Sequence, residues 1–153
     1  MSSYSQYVNS FGVRGGIRGV GLSYKQFLSP ATFLNIEGVG QSSEQIKGGD
    51  LLATINFRNK IHSTNFQIKE LTWSYGVGIH GGYYMDPDDV KENKITFGPD
   101  VRLGAEYLFK EQWAFGLDIT GYYNLMPFDK PEGIDRVYTN MFGAGLFIRY
   151  VIQ

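Results

Sequence analysis

Cysteine is missing from this chain, and with it disulfides, cysteine–zinc centres and thiol catalysis. Histidine occurs twice, at His62 and His80, a poor zinc signal without cysteine. No window approaches the run of about 18 apolar residues that a transmembrane helix needs. Charge of one sign is also lacking: the net charge is −1 and the pI about 6.1, which removes the basic footprint of a nucleic-acid binder. The start, Met1 to Ser10, has neither the basic nor the apolar region of a signal peptide. Taken with the strands described next, the expectation is a mature chain, its export signal removed and an initiating Met in its place.

What is present is glycine and aromatic side chains: 20 Gly, 11 Tyr and 11 Phe among 153 residues, with aromatics at 16%. At 17.3 kDa the chain is expected to form a single domain, residues 1–153. Leu71 to Met85 shows how these residues are arranged. Leu71, Trp73, Tyr75, Val77, Ile79, Gly81, Tyr83 and Met85 fall on one side of a two-residue period, and Thr72, Ser74, Gly76, Gly78, His80, Gly82 and Tyr84 on the other. One face is large and apolar; the other is mostly small and polar. A soluble sandwich or barrel keeps its bulk inside, and the glycines would leave such a core empty. A barrel in lipid turns the apolar row outward and tolerates a polar lumen. Mean hydropathy of −0.22 does not oppose this, because alternation hides the apolar face from any average.

The same period recurs along the chain and predicts eight strands, over Tyr7 to Arg14, Val20 to Leu28, Phe33 to Gly40, Leu51 to Lys60, Leu71 to Met85, Ile95 to Phe109, Trp113 to Leu125 and Tyr138 to Val151. Gln26 interrupts an outer row, and Pro99, lacking an N–H, predicts a strand start or a bulge. Short connections are expected at residues 29–32, 61–65 and 110–112, and long ones at 41–50, 86–94 and 126–137. Gly15 to Gly19 is short where a long one is due. Outer-membrane barrels have even strand numbers, short periplasmic turns and longer extracellular loops. The fold class expected is therefore all-β: an eight-stranded antiparallel up-and-down transmembrane barrel with a polar interior and both termini periplasmic.

Parity places Arg14, Lys25, Arg58, Arg102 and Arg149 inward, with Glu37, Asp100, Glu106 and Asp118. Charges held away from water must be paired, and an eight-stranded bore is only wide enough for side chains. The near-balance points to a salt-bridged plug; the alternative is a narrow path for ions or small polar solutes. Trp73, Tyr75, Tyr83, Tyr107, Trp113 and Tyr123 face outward and are expected to form the lipid-facing aromatic belts. Asp86, Asp88, Asp89 and Glu92 offer oxygen ligands but lack EF-hand spacing, so they read as a solvated loop and no metal site is assigned. Gly-x-Gly pairs at 76–78 and 143–145 lie within strands without a following helix, which removes a phosphate cradle.

Three segments carry a family resemblance: Gly21-Leu22-Ser23-Tyr24-Lys25-Gln26-Phe27-Leu28, Gly76-Val77-Gly78-Ile79-His80 and Phe147-Ile148-Arg149-Tyr150. In these the chain resembles the small eight-stranded outer-membrane β-barrel proteins of Bacteroidota, relatives in architecture of OmpX, OmpW and the OmpA membrane domain. The resemblance spans nearly the whole chain. It departs at the end, Tyr150-Val151-Ile152-Gln153, where such proteins often finish on an aromatic residue. Some eight-stranded barrels deacylate lipid A with a Ser-His-acid set on the outer wall, whereas His80 points inward here. The function expected is a non-enzymatic structural or interaction protein of the bacterial outer membrane, without a cofactor. Its partners would be outer-membrane lipids and an envelope protein, as a monomer or as a subunit of a larger membrane complex. A soluble lipocalin-like binder of a small ligand is the remaining alternative.

Overall fold

The two-residue alternation becomes eight strands in the computed structural model, which describes residues 9–42, 47–60, 71–85, 94–110, 112–125 and 142–152. They are β1 (Asn9–Gly16), β2 (Gly19–Phe27), β3 (Thr32–Ser42), β4 (Lys47–Lys60), β5 (Leu71–Met85), β6 (Lys94–Phe109), β7 (Trp113–Tyr122) and β8 (Phe142–Ile152). Each pairs antiparallel with its sequence neighbours, and β1 closes on β8 from Asn9↔Ile152 to Gly16↔Gly145. Closure leaves no edge strand and pairs the backbone polar groups within the sheet, as a wall in contact with lipid requires. The β2–β3, β4–β5 and β6–β7 connections share one end of the barrel with the termini; the other connections lie at the opposite end. Among the described residues no helix is long and apolar enough to cross a membrane.

Side-chain parity follows the pleat. On β5, Val77 is 61% exposed and His80 2%. The Trp73 and Leu117 rows lie outside, the reverse of what a soluble ligand-binding barrel needs. Within the lumen, apolar residues form a layer near each end. Ala114 and Val151 pack with Phe27 and Leu108 towards the terminal end, and Val39, Leu52 and Tyr122 pack together towards the opposite end.

Several strands differ in extent from the sequence expectation. β3 and β4 run on through the polar stretch 41–50, pairing Gly40 with Gly49 and Val39 with Asp50, so only residues 43–46 separate them. Ladder hydrogen bonds come from the backbone, and a polar side chain at the wet end of a strand does not stop them. The short–long alternation of connections therefore fails between β3 and β4, while the short connection expected at 61–65 lies outside the described residues. β1 extends to Gly16 and turns on Ile17 and Arg18 alone, with Gly19 at φ 116°, a conformation that favours glycine. At Lys110, φ is 50°, and the Gln112 amide donates to the Phe109 carbonyl at 3.3 Å.

Pro99 neither starts a strand nor makes a bulge. β6 begins at Lys94, and its register with β5 passes unbroken through Ile79↔Pro99. In an antiparallel ladder a residue's N–H and C=O face the same neighbour. The Pro99 carbonyl accepts from the Tyr123 amide at 3.0 Å, so its missing N–H faces β7. The regular β6–β7 ladder therefore stops at Asp100↔Tyr122, three residues short of the expected Leu125, although the Leu125 amide still donates to the Phe97 carbonyl at 2.9 Å. Tyr7, His62, the acidic run at 86–92 and the expected start of the last strand at Tyr138 lie outside the described residues.

The outward rows make a direct prediction. Val77→Arg or Leu117→Arg places a charge in the middle of the apolar wall and should cost about 2–4 kcal/mol. Denaturant unfolding of the detergent- or lipid-refolded barrel measures it, and unchanged stability would reverse the assignment of faces.

Candidate functional site: a charge lattice in the lumen

The inner rows bring charged residues from β1, β2, β3, β6, β7 and β8 to one level of the lumen. Arg14 donates to Glu37 Oε2 and to Asp118 Oδ1, both at 2.7 Å. Arg102 donates to the other oxygen of each carboxylate, at 2.8 Å to Glu37 Oε1 and 2.7 Å to Asp118 Oδ2. Two guanidinium groups and two carboxylates thus form a closed ring. Glycine makes room for it: a Cβ on Gly145 would stand 2.6 Å from Arg14 Nη2.

Arg149 carries the lattice towards the terminal end. It bonds Glu106 Oε2 at 3.0 Å, approaches Glu37 Oε1 at 3.5 Å, and donates to Asn35 Oδ1 and Ser23 Oγ at 3.0 Å each. Lys25 Nζ closes the chain on Glu106 Oε1 at 2.7 Å. Phe147 lies under the Arg149 guanidinium at 3.9 Å, and Phe33 under Lys25 Nζ at 4.1 Å, so aromatic faces take the sides that carboxylates leave bare. A cavity of about 10 Å³ beside Lys25, Ser74, Arg102 and Glu106 holds a single water at most.

Of the residues read as inward, Arg14, Lys25, Glu37, Arg102, Glu106, Asp118 and Arg149 come together in this lattice. Arg58 stands at its edge. Its side chain is half-buried at the terminal end, donating to the Pro30 carbonyl at 3.0 Å and lying 4.4 Å over the Phe27 ring. A strand's inner row reaches the rim as well as the centre, so parity alone does not give depth. Asp100 is inside but belongs to a different neighbourhood: its Oδ2 is 3.8 Å from His80 Nδ1, and neither oxygen has a hydrogen-bond partner.

A second cluster lies nearer the opposite end. Asp50 accepts from Arg18 Nη2 at 2.5 Å, from the Tyr84 hydroxyl, and from Thr96 Oγ1 at 3.5 Å. Arg18 also spans the Tyr122 ring at 4.0 Å. Sequence reading missed this group because Asp50 and Arg18 fell in expected connections. The parity of β4 continued backwards from Asn56, Thr54 and Leu52 would have found Asp50 on the inner face. His80 sits beside the cluster, its Nε2 2.8 Å from Asn124 Oδ1 and its ring edge-on to Tyr122 at 5.2 Å.

Trp73, Tyr75, Tyr83, Tyr107, Trp113 and Tyr123 all lie on the exposed face. Trp73, Tyr75, Tyr107 and Trp113 gather towards the terminal end, with Tyr75 packed on Phe57 and Trp113 on Tyr150. Tyr83 and Tyr123 lie towards the opposite end. Among the described residues no group of three His, Asp or Glu side chains could hold a metal ion.

A closed antiparallel barrel, apolar outside and charged within, has the architecture of outer-membrane β-barrels. The comparison with solved structures gives the same fold. The chain is similar to the N-terminal β-barrel domain of Pseudomonas aeruginosa OprF, at 12% identity and TM-score 0.66, covering 94% of this chain and 96% of that one. It is also similar to Ail, the attachment invasion locus protein of Yersinia pestis, at 10% identity and TM-score 0.50, covering 94% and 96%. Acinetobacter baumannii CarO2 aligns at 14% identity and TM-score 0.50, covering 97% and 100%. No protein family and no curated protein matches the sequence.

Glu37 touches three arginines at 0% exposure and is the centre of the lattice. Glu37→Gln leaves buried cations short of a partner and should cost about 3–5 kcal/mol. Arg58→Gln, at the rim, should stay within about 1.5 kcal/mol. Parallel urea unfolding of the two variants checks the contrast, and equal losses would refute the central role of Glu37.

Proposed function

We propose that this chain is a non-enzymatic integral protein of the bacterial outer membrane, with a sealed lumen, that works through its wall and through the connections at the end away from its termini. The termini face the periplasm and the β1–β2, β3–β4, β5–β6 and β7–β8 connections face outward. Its partners are the lipids around the wall and an envelope protein, engaged as a monomer or within a larger membrane assembly.

The observation that carries this reading is the lattice joining Arg14, Lys25, Glu37, Arg102, Glu106, Asp118 and Arg149 across the bore. An ion entering that level would have to displace a guanidinium or an ammonium held by carboxylates at hydrogen-bond distance. Widening the path by rotamer change leaves buried charge unpaired, at a cost of several kcal/mol per ion. The likeness of fold to OprF, Ail and CarO2 supports a membrane barrel.

The test has two arms. The unheated barrel in SDS should migrate compactly and shift on boiling, as a closed hydrogen-bonded barrel does. In a planar bilayer it should give no conductance steps. Regular ion-conducting steps from the purified wild-type barrel would replace the sealed reading with that of a narrow pore.

A further inference from the structure

Of the nine buried side-chain polar atoms without a partner among the described residues, six lie on one side of the lumen, and the other three belong to Asn9, Ser10 and Asn35 on β1 and β3. These six, Asp100 Oδ1 and Oδ2, Asn56 Oδ1, Arg102 Nη1, Thr120 Oγ1 and His80 Nδ1, make no hydrogen bond among the described residues. They come from β4, β5, β6 and β7 and fall on adjoining rows. Thr54, Gly78, Asp100 and Tyr122 are in register on one row; Asn56, Gly76, Arg102 and Thr120 are in register on the next. Buried polar groups are nearly always bonded, so a concentration of exceptions requires an explanation.

The imidazole of His80 supplies one for its own Nδ1 and for the Asp100 carboxylate. Its Nε2 lies 2.8 Å from Asn124 Oδ1; with that oxygen as the acceptor, Nε2 carries the hydrogen of the neutral ring. Nδ1 then presents a lone pair to the Asp100 carboxylate 3.8 Å away, at a site where both side chains are fully shielded from water. Two acceptors face each other, and a proton between them turns repulsion into a charge-assisted hydrogen bond. The rest of the lumen opposes that proton. Among the described residues, with Asp100 ionised and His80 neutral, Arg14, Arg18, Lys25, Arg102 and Arg149 are matched one for one by Glu37, Asp50, Asp100, Glu106 and Asp118, and half-buried Arg58 adds a further cation at the terminal rim. The local geometry favours the extra proton and the charge balance resists it.

We propose that His80 and Asp100 form a buried proton-binding site in the barrel lumen. The proton is taken from water onto Nδ1, giving an imidazolium that donates to Asp100 through Nδ1 and to Asn124 through Nε2. Its return to water restores a lone pair facing a carboxylate and pushes the ring away from Asp100. The groups facing the pair are known on each side. β4 supplies Leu52 and Thr54, with Asp50 one row on; β6 supplies Arg102; β7 supplies Tyr122, held under Arg18; and Glu37 of β3 is reached through Arg102. Asn124 lies between Tyr123 and Leu125, whose amides hold the irregular end of β7 to Pro99 and Phe97. Protonation of the pair is thereby linked to residues 123–125, the last described before the β7–β8 connection.

The test is the imidazole ¹⁵N spectrum of the labelled, refolded barrel in detergent, followed between about pH 5 and 8. His62 is the other of the two histidines, and His62→Gln assigns the signals. In the wild type, Nδ1 of His80 should gain one proton, and the Asn124 side-chain amide signals should move at the same midpoint. Asp100→Asn, nearly identical in shape, should weaken proton binding at least tenfold, moving the midpoint down by about one pH unit or more. A ring that keeps one protonation state throughout, or a midpoint that Asp100→Asn leaves in place, overturns the proposal. Compact migration in SDS establishes that the variant is folded. His80→Gln gives a second measure: the pH dependence of the Asn124 amide signals should vanish, and its persistence would also overturn the proposal.

Discussion

A charge removed from water must find a partner, and the narrow bore of an eight-stranded barrel decides where that partner can come from. Water has little room in the lumen, so side chains must satisfy one another across it. This constraint accounts for the inner rows as a whole. Glu37 accepts from arginines on β1, β6 and β8, and no single hairpin could provide that set. It also accounts for the glycines, since Gly145 leaves the space in which the Arg14 guanidinium lies. The apolar layers at either end of the lumen keep bulk water away from the lattice and so maintain the strength of its bonds.

Much of this was legible in the sequence because the period of a strand is two. Residues such as Val77 and His80 declare opposite faces by parity alone, and β5 matches its expected bounds, Leu71–Met85. Depth and pairing were less legible. Arg58 and Arg102 share inner-facing parity, yet one lies at the rim and the other at the centre, because depth depends on how the strands are staggered when the sheet closes. Asp100 and Asp118 are alike in sequence context, with a two-residue period of small or polar neighbours. One is left facing an imidazole while the other completes a ring with two arginines.

Strand ends were the least legible part, for a related reason. Polar composition at 41–50 suggested a loop, but the ladder between β3 and β4 continues into it as far as Ser42↔Lys47 because backbone groups do the pairing. Pro99 suggested an interruption on both sides of its strand. Its missing donor faces only β7, so the β5–β6 ladder is untouched while the regular β6–β7 ladder stops one residue away. In each case the side chain was visible in the sequence, and the neighbour that gave it meaning was not.

The lattice also acts on the fold that builds it. A one-residue slip of any strand would turn its inner row outward, placing Glu37, Arg102 or Arg149 in lipid and an apolar row in the lumen. Such a slip exchanges paired charges for unpaired ones on both faces at once, so register is specified far more strongly than the apolar wall alone would specify it. Closure is specified in the same way. Arg14 on β1 bonds Asp118 on β7, and Arg149 on β8 bonds Ser23 on β2, so these contacts span the seam where the first strand meets the last. A sheet that has not closed cannot make them, and its buried charges remain unmatched. The ion pairs of the lumen therefore select one closed register out of the many that alternation permits, and the same selection leaves the bore full.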